Sequence, residues 1–363
     1  MKKFSAAILA SALLFSLAQA PAYSADCRGR NLVDCLPIPE RDIFILDISG
    51  SNNVSANWKN SLRPSLIRKL QQPFGFPANK LRDKTRTPYD LFVTAISADS
   101  VSQPRIPVVT FEDASKIWGM LNTITGATPS SDRLAKLNED FFGGRGAYTT
   151  LAQGLAADPL KLPTKGICID ISTKAWASGF MGQQSKPKQR QAAETICDVY
   201  IDIVKRLIQL DSKFNNPKCE DSPCSDVFGA IINAARAAED MSISSTITQQ
   251  LCIAISSDMH NLSPTTQKGS ALDSKHVALT AKTVEEARQK GKEAAKLIDI
   301  KFPEKVKTRI FILSGSGPKP LPYERNAYFN AYWSAFWTEV GIKTTQQIKS
   351  LDRACMESGR TTS

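Results

Sequence analysis

Histidine is nearly absent from this chain: His260 and His276 are the two in 363 residues. That scarcity, with no G-x-S-x-G segment, argues against a Ser-His-Asp hydrolase. Ser314-Gly315-Ser316-Gly317 superficially invites that reading, but it follows an apolar run and reads as a strand-ending turn. The shortage also weakens a zinc site at Cys219-x4-Cys224, since no His or Cys pair follows at ligand spacing. Beyond the first 25 residues no stretch approaches the 18 or more apolar residues that a membrane-spanning helix needs. Glycine (19) and proline (20) are too few and too scattered for a collagen-like or low-complexity chain. No segment matches a nucleic-acid-binding motif, so nucleic acid is not an expected partner.

What is present describes a globular protein. Apolar residues make up 42% and charged residues 22% of the chain, enough to bury a core of about two ordinary domains' size. Lys and Arg outnumber Asp and Glu by 46 to 35, a formal charge of +11. Such an excess keeps a protein soluble and favours anionic partners. Eight of the cations, Lys59, Arg63, Arg68, Lys69, Lys80, Arg82, Lys84 and Arg86, fall in one segment with Asp83 as its single acid. This segment reads first as a solvated face, and alternatively as a contact for an anionic surface.

Residues 1–25 have the order of a secretory signal peptide: Lys2 and Lys3, an apolar run from Phe4 to Leu17, then the small residues around Ala20 and Ala22. Removing this leader takes away two lysines and no acid, which leaves +9. The expected location is therefore periplasmic or secreted, without a transmembrane segment. Eight cysteines suit an oxidising compartment. Cys27 with Cys35 and Cys219 with Cys224 are close enough for small loops, leaving Cys168, Cys197, Cys252 and Cys355 for longer ties, but eight cysteines allow 105 pairings and the sequence does not choose among them.

Asp42 to Ser49 (DIFILDIS) is a continuous apolar run, as expected of a strand covered on both faces of a parallel sheet. Similar runs occupy 90–97, 247–257 and 309–314, with a more broken one at 106–111. Helical periodicity is read at 54–72, 112–124, 187–211, 225–240, 277–298 and 325–340. In the last of these, Tyr328, Phe329, Tyr332, Trp333, Phe336, Trp337 and Val340 form one apolar stripe suited to packing on a sheet. The alternation predicts a doubly wound α/β fold with a mostly parallel sheet and helices on both faces. It breaks between 126 and 224, which is read as a cysteine-containing insertion. The expected organisation is a leader (1–25), an N-terminal disulfide-bearing segment (26–41), one domain over 42–345, and a C-terminal tail (346–363).

The first strand ends in Asp47-Ile48-Ser49-Gly50-Ser51. A carboxylate and two hydroxyls on a loop at a strand's carboxyl end are hard oxygen donors suited to Mg²⁺, Ca²⁺ or Mn²⁺. The strand ending at Ser256 is likewise followed by Ser257-Asp258, and Ser225-Asp226 opens a helix about thirty residues earlier. Asp47 and Ser49 would equally serve as helix caps, and Asp226 as compensation of a helix dipole.

This combination resembles the von Willebrand factor A-type domain and its metal-ion-dependent adhesion site, over roughly residues 40–345. The resemblance implies that Ser49 and Ser51 bind a divalent cation, Mg²⁺ first, while Asp47 and Asp258 hold it directly or through water. Ser225 would stand where the family has a threonine; Thr149 or Thr150 would restore the residue type, at poorer spacing. The implied function is metal-dependent binding of a protein partner whose acidic side chain completes the coordination. Two alternatives are a Mg²⁺-dependent phosphate-ester hydrolase and a basic envelope scaffold without metal. The first is weakened because Ser49 stands where an aspartate-nucleophile phosphatase carries its second Asp.

Overall fold

The computed structural model describes residues 40–49, 54–71, 89–113, 116–117, 120, 149–166, 168–169, 186–215, 224–244, 249–263, 266–313, 321–349, 351 and 354–355. The leader, nearly all of the N-terminal segment, Ser51, the 314–317 turn and the basic residues from Lys80 to Arg86 lie outside the described residues.

Strand β1 (Glu40–Asp47) is buried over its last six residues. It lies between β2 (Tyr89–Ile96) and β4 (Gln249–Ser256), parallel to both. β3 (Ile106–Val109) pairs antiparallel with β2 at one edge. β5 (Val306–Leu313) and β6 (Thr345–Ile348) continue in parallel beyond β4. The order β3-β2-β1-β4-β5-β6 makes a six-stranded, mostly parallel sheet. The chain winds outward from β1 in one direction and from β4 in the other, so the crevice above these two strands is the topological switch point where open α/β sheets bind ligands.

The continuous apolar run of β1 has its predicted cause, because both sheet faces are covered. Phe44 and Leu46 belong to a core with α1 (Val54–Asn57), a π-helical turn (Trp58–Leu62), α2 (Arg63–Leu70) and, beyond α3 (Thr149–Ala156), the 30-residue α4 (Lys186–Asn215). Ile43 and Ile45 face a second core with α5 (Val227–Ser244), α6 (Ser274–Thr280), α7 (Val284–Ile298) and α8 (Asn326–Glu339). The fold is thus an α/β layered sandwich, compatible with a von Willebrand factor A-like fold.

Three features differ in detail from the sequence reading. The helix expected over 277–298 is two helices, each with its own cap: the Asp273 side chain accepts from His276 N, and Thr283 Oγ1 accepts from Glu286 N at 3.1 Å. Glu286 reaches back past the cap to accept from Lys282 N at 2.7 Å, so side chains at both Thr283 and Glu286 satisfy free amides where the new helix starts. Residues beyond 345 include β6, which no apolar pattern signals because its side chains are mostly exposed. Within the interval read as an insertion, α4 covers one sheet face: Phe214 meets the Trp58 ring at 5.1 Å, and Arg206 pairs with Asp113 at 2.5 Å.

Disulfides join Cys168 to Cys197 and Cys252 to Cys355, and Cys224 is also disulfide-bonded. The second bond closes 103 residues, a loop for which chain-entropy arguments give about 4.7 kcal/mol. Among the described residues no helix is long and apolar enough to cross a membrane.

Two cations of the expected basic face, Arg63 and Lys69, are buried inside the protein, and Lys59 is paired at its surface. Lys69 Nζ lies 2.5 Å from Asp42 Oδ2, with both side chains buried, and 3.0 Å from the Cys355 carbonyl. Asp211 Oδ1 accepts from Trp58 Nε1 at 2.7 Å and from Arg63 at 3.0 Å. Lys59 pairs with Asp158 at 2.7 Å.

Two consequences are measurable by urea denaturation. Lys69→Ala leaves Asp42 charged and buried, so it should lower stability by about 3–5 kcal/mol. At Gly291 in α7, an added Cβ would sit 2.1 Å from the Tyr332 carbonyl of α8. Gly291→Ala should therefore cost about 1–3 kcal/mol by overpacking, and an unchanged unfolding midpoint would show that the two helices separate freely.

Candidate metal centre

β1 delivers Asp47 to the carboxyl edge of the sheet, where the Ile48 amide continues the ladder onto the Ile96 carbonyl at 3.1 Å. Asp47 itself is fully buried. One carboxylate oxygen, Oδ1, accepts from the Ser49 amide at 2.9 Å, folding the chain into a tight Asx turn. The other, Oδ2, accepts from Ser225 Oγ at 3.0 Å and from Ser257 Oγ at 2.7 Å. The Ser49 hydroxyl adds a further hydrogen bond to the same carboxylate. Three chain segments far apart in sequence thus meet at one aspartate.

Their meeting is enforced by backbone bonds between the loops. Ser225 and Leu262 exchange two hydrogen bonds of 2.8 Å, and the Asp226 amide donates to the Ser97 carbonyl at 2.8 Å. Asn261 Oδ1 caps α5 from the neighbouring loop by accepting from Val227 N at 2.9 Å. Asp226 is a structural cap as well: its carboxylate accepts from Gly229 N at 2.9 Å and Ser100 N at 3.1 Å. A Cβ on Gly229 would fall 1.9 Å from that carboxylate, so glycine is required where the cap folds back over the first turn.

Beyond β4, the Ser257 amide donates to the Leu313 carbonyl at 3.2 Å, while Ser257 Oγ accepts from the Met259 amide at 2.8 Å. Met259 has φ of 59°, a left-handed conformation that non-glycine residues adopt mainly where the surroundings impose it. Asp258 accepts from the His260 amide at 3.0 Å and faces His260 Nδ1 at 3.5 Å.

The electrostatics follow from burial. Desolvation pushes the Asp47 carboxyl above its ordinary range, the hydrogen bonds from Ser257 and Ser49 work against that rise, and the nearby negative charge of Asp258 adds to it. Among the described residues, every hydrogen-bond partner of Asp47 is uncharged. Burial likewise lowers the His260 pKa, favouring the neutral ring, with Asp258 opposing this. A buried carboxylate with hydroxyl partners, next to a second carboxylate, has no positive partner among the described residues, and its oxygen donors are those that Mg²⁺ or Ca²⁺ prefers. The donor set therefore fits a hard divalent cation.

Of the residues expected at the site, Asp47, Ser49 and Ser225 are joined directly by hydrogen bonds, and Asp258 lies close enough for its charge to act on Asp47. Ser51 lies outside the described residues. Ser257 belongs to the cluster although the sequence reading assigned it no role. Its signal is modest: it is the first hydroxyl after a strand adjacent to β1.

A second group, Asp42 with Cys252 and Cys355, places three potential ligand atoms within 4.8 Å of one another. The two sulfurs form a disulfide and Asp42 is paired with Lys69. Neither a thiolate nor an unpaired carboxylate is on offer there.

No family model matches this chain, and no curated protein matches it in sequence. Among solved structures, the human COPII-coat protein Sec24c is similar at 10% identity and a TM-score of 0.29, over 86% of this chain and 30% of that one.

Proposed function

We propose that this protein is a metal-dependent protein-binding module, in which Asp47, Ser49, Ser225 and Asp258, with Ser51 and Ser257, hold a divalent cation and an acidic side chain of a partner completes the site. The observation that carries this reading is the buried Asp47 carboxylate, surrounded by hydroxyls from three loops at the switch point of the sheet. A serine hydroxyl has one proton and two lone pairs. Ser225 can therefore donate to Asp47 and keep lone pairs for a cation, and Ser257, which also accepts from the Met259 amide, keeps one.

The bound cation would act as a Lewis acid for an oxygen ligand from outside. Because most of the donors are neutral hydroxyls, the site would retain affinity for an external carboxylate. Asp47 would orient the serines, and Asp258 would supply charge balance from the β4 side. Mg²⁺ is the first choice, with Ca²⁺ or Mn²⁺ as substitutes. The setting we propose is the periplasm or the extracellular medium, where disulfides persist. The scaffold alternative draws less support, since Arg63 and Lys69 are paired with buried acids and Lys59 with Asp158 at the surface.

Mg²⁺ at a hundredfold excess over its dissociation constant should stabilise the fold by about 2.7 kcal/mol. Thermal unfolding in Mg²⁺ and in chelator measures this directly. Asp47→Asn and Asp258→Asn should abolish the increment, and the parent should capture an envelope protein in Mg²⁺ but not in chelator. Failure of Mg²⁺, Ca²⁺ and Mn²⁺ alike to shift the parent's midpoint would reject the reading.

A pH dependence follows from the buried carboxylate. The folded-state pKa of Asp47 is raised above its ordinary value of 3.8, so its ionisation opposes folding. That penalty is absent below 3.8 and grows as pH rises through the folded-state value. In chelator, Asp47→Asn should therefore gain on the parent as pH rises towards neutrality, as read from urea midpoints at each pH. Added Mg²⁺ should reverse the order.

A further inference from the structure

Six residues before Asp47, at the opposite end of β1, the face of the sheet that carries α5 holds a cavity of about 530 Å³. Six residues of strand span about 20 Å, so the Arg41 end of this cavity is well removed from Asp47, while its other end is walled by the loop of Val101, Gln103 and Pro104 that follows β2. Three guanidinium groups line it, from Arg41, Arg105 and Arg236, against the single carboxylate of Asp240.

The three arginines are differently committed. Arg41 lies over the Phe92 ring at 5.2 Å and pairs with Asp90 at 3.0 Å, yet its Nε is buried without a hydrogen-bond partner. Arg105 reaches Asp240 at 3.3 Å, where the Asp240 side chain is 62% exposed, a geometry that binds weakly. Arg236 is exposed and has no hydrogen-bond or ion-pair partner among the described residues. Phe92, Val101 and Pro104 make the apolar part of the cavity wall, and Gln103 and Asn233 add polar groups.

The loop that forms this wall is held in place. Asn233 Nδ2 donates to the Gln103 carbonyl at 2.8 Å, and Lys213 Nζ donates to Gln103 Oε1 at 3.0 Å. A pocket that keeps its shape without ligand loses less entropy on binding.

We propose that this cavity is a binding site for a small phosphate ester carrying an apolar group. Three arginines face Asp240 and the Asp90 partner of Arg41, an excess of one positive charge, and a phosphate ester offers their guanidinium groups three acceptor oxygens where a carboxylate offers two. Guanidinium forks fit phosphate oxygens in pairs. The volume lies within the range of about 300–1,000 Å³ typical of small-molecule sites, more room than inorganic phosphate needs, and the apolar wall accounts for the remainder.

Calorimetric titration of the full chain with phenyl phosphate, in chelator, tests the assignment. Saturable binding is expected, tighter than for benzoate or inorganic phosphate. Arg236→Ala and Arg105→Ala should each weaken it about tenfold or more. Arg236 is exposed and unpaired among the described residues, so Arg236→Ala should leave the urea midpoint unchanged and report on binding alone. The proposal is overturned by absence of saturable binding, by parental affinity in both arginine variants, or by benzoate binding as tightly. Binding that requires Mg²⁺ and disappears in Asp47→Asn but not in Arg236→Ala would also overturn it, by assigning the phosphate to the other site.

Discussion

A carboxylate that is wholly enclosed and, among the described residues, has only neutral hydrogen-bond partners is an unusual thing for a protein to maintain. Asp47 is enclosed because β1 sits at the centre of a sheet covered on both sides, so the last residue of the strand emerges among loops rather than into solvent. Its charge then has to be accommodated by oriented dipoles, and the hydroxyls of Ser225 and Ser257 supply them. Both serines depend on other contacts for their positions, namely the Ser225–Leu262 bridge, the Asn261 cap and the bond from the Ser257 amide to β5. The organisation of the carboxyl edge thus follows from the burial of one side chain.

The same sheet separates two chemical environments. Oxygen donors gather where β1 and β4 end, and guanidinium groups gather near where β1 begins. The positive charge visible in the composition is only partly a surface property. Lys69 and Arg63 are absorbed by Asp42 and Asp211 beneath the helices of one face, while Arg236 on the other face has no partner among the described residues. Net charge alone could not have told these roles apart, because pairing is a matter of tertiary geometry.

The layered fold was legible where hydrophobic pattern and burial agree. β1, β2, β4 and β5 are uninterrupted apolar runs because they are interior strands, and the aromatic stripe of α8 is buried at Tyr332, Trp333, Phe336 and Trp337. β6 escaped notice because an edge strand with exposed Gln346 and Gln347 carries no such run. The break between α6 and α7 was written in the Thr283 and Glu286 spacing, but apolar periodicity across it masked the signal. At the site, Asp47, Ser49 and Asp258 could be chosen because strand ends concentrate ligands. Ser257 was harder to choose, since its role depends on which strand neighbours β1, and that is a property of topology.

The disulfide between Cys252 and Cys355 starts on β4, just before the loop that carries Asp258, and ends near the C-terminus. It makes a covalent ring of the last third of the molecule, containing α6, α7, α8, β5 and β6. A protease nick anywhere inside that ring would leave the fragments tethered. The chain would then part only under reducing conditions, and the half of the oxygen cluster contributed by β4 would stay attached to the body of the protein even after the backbone had been cut.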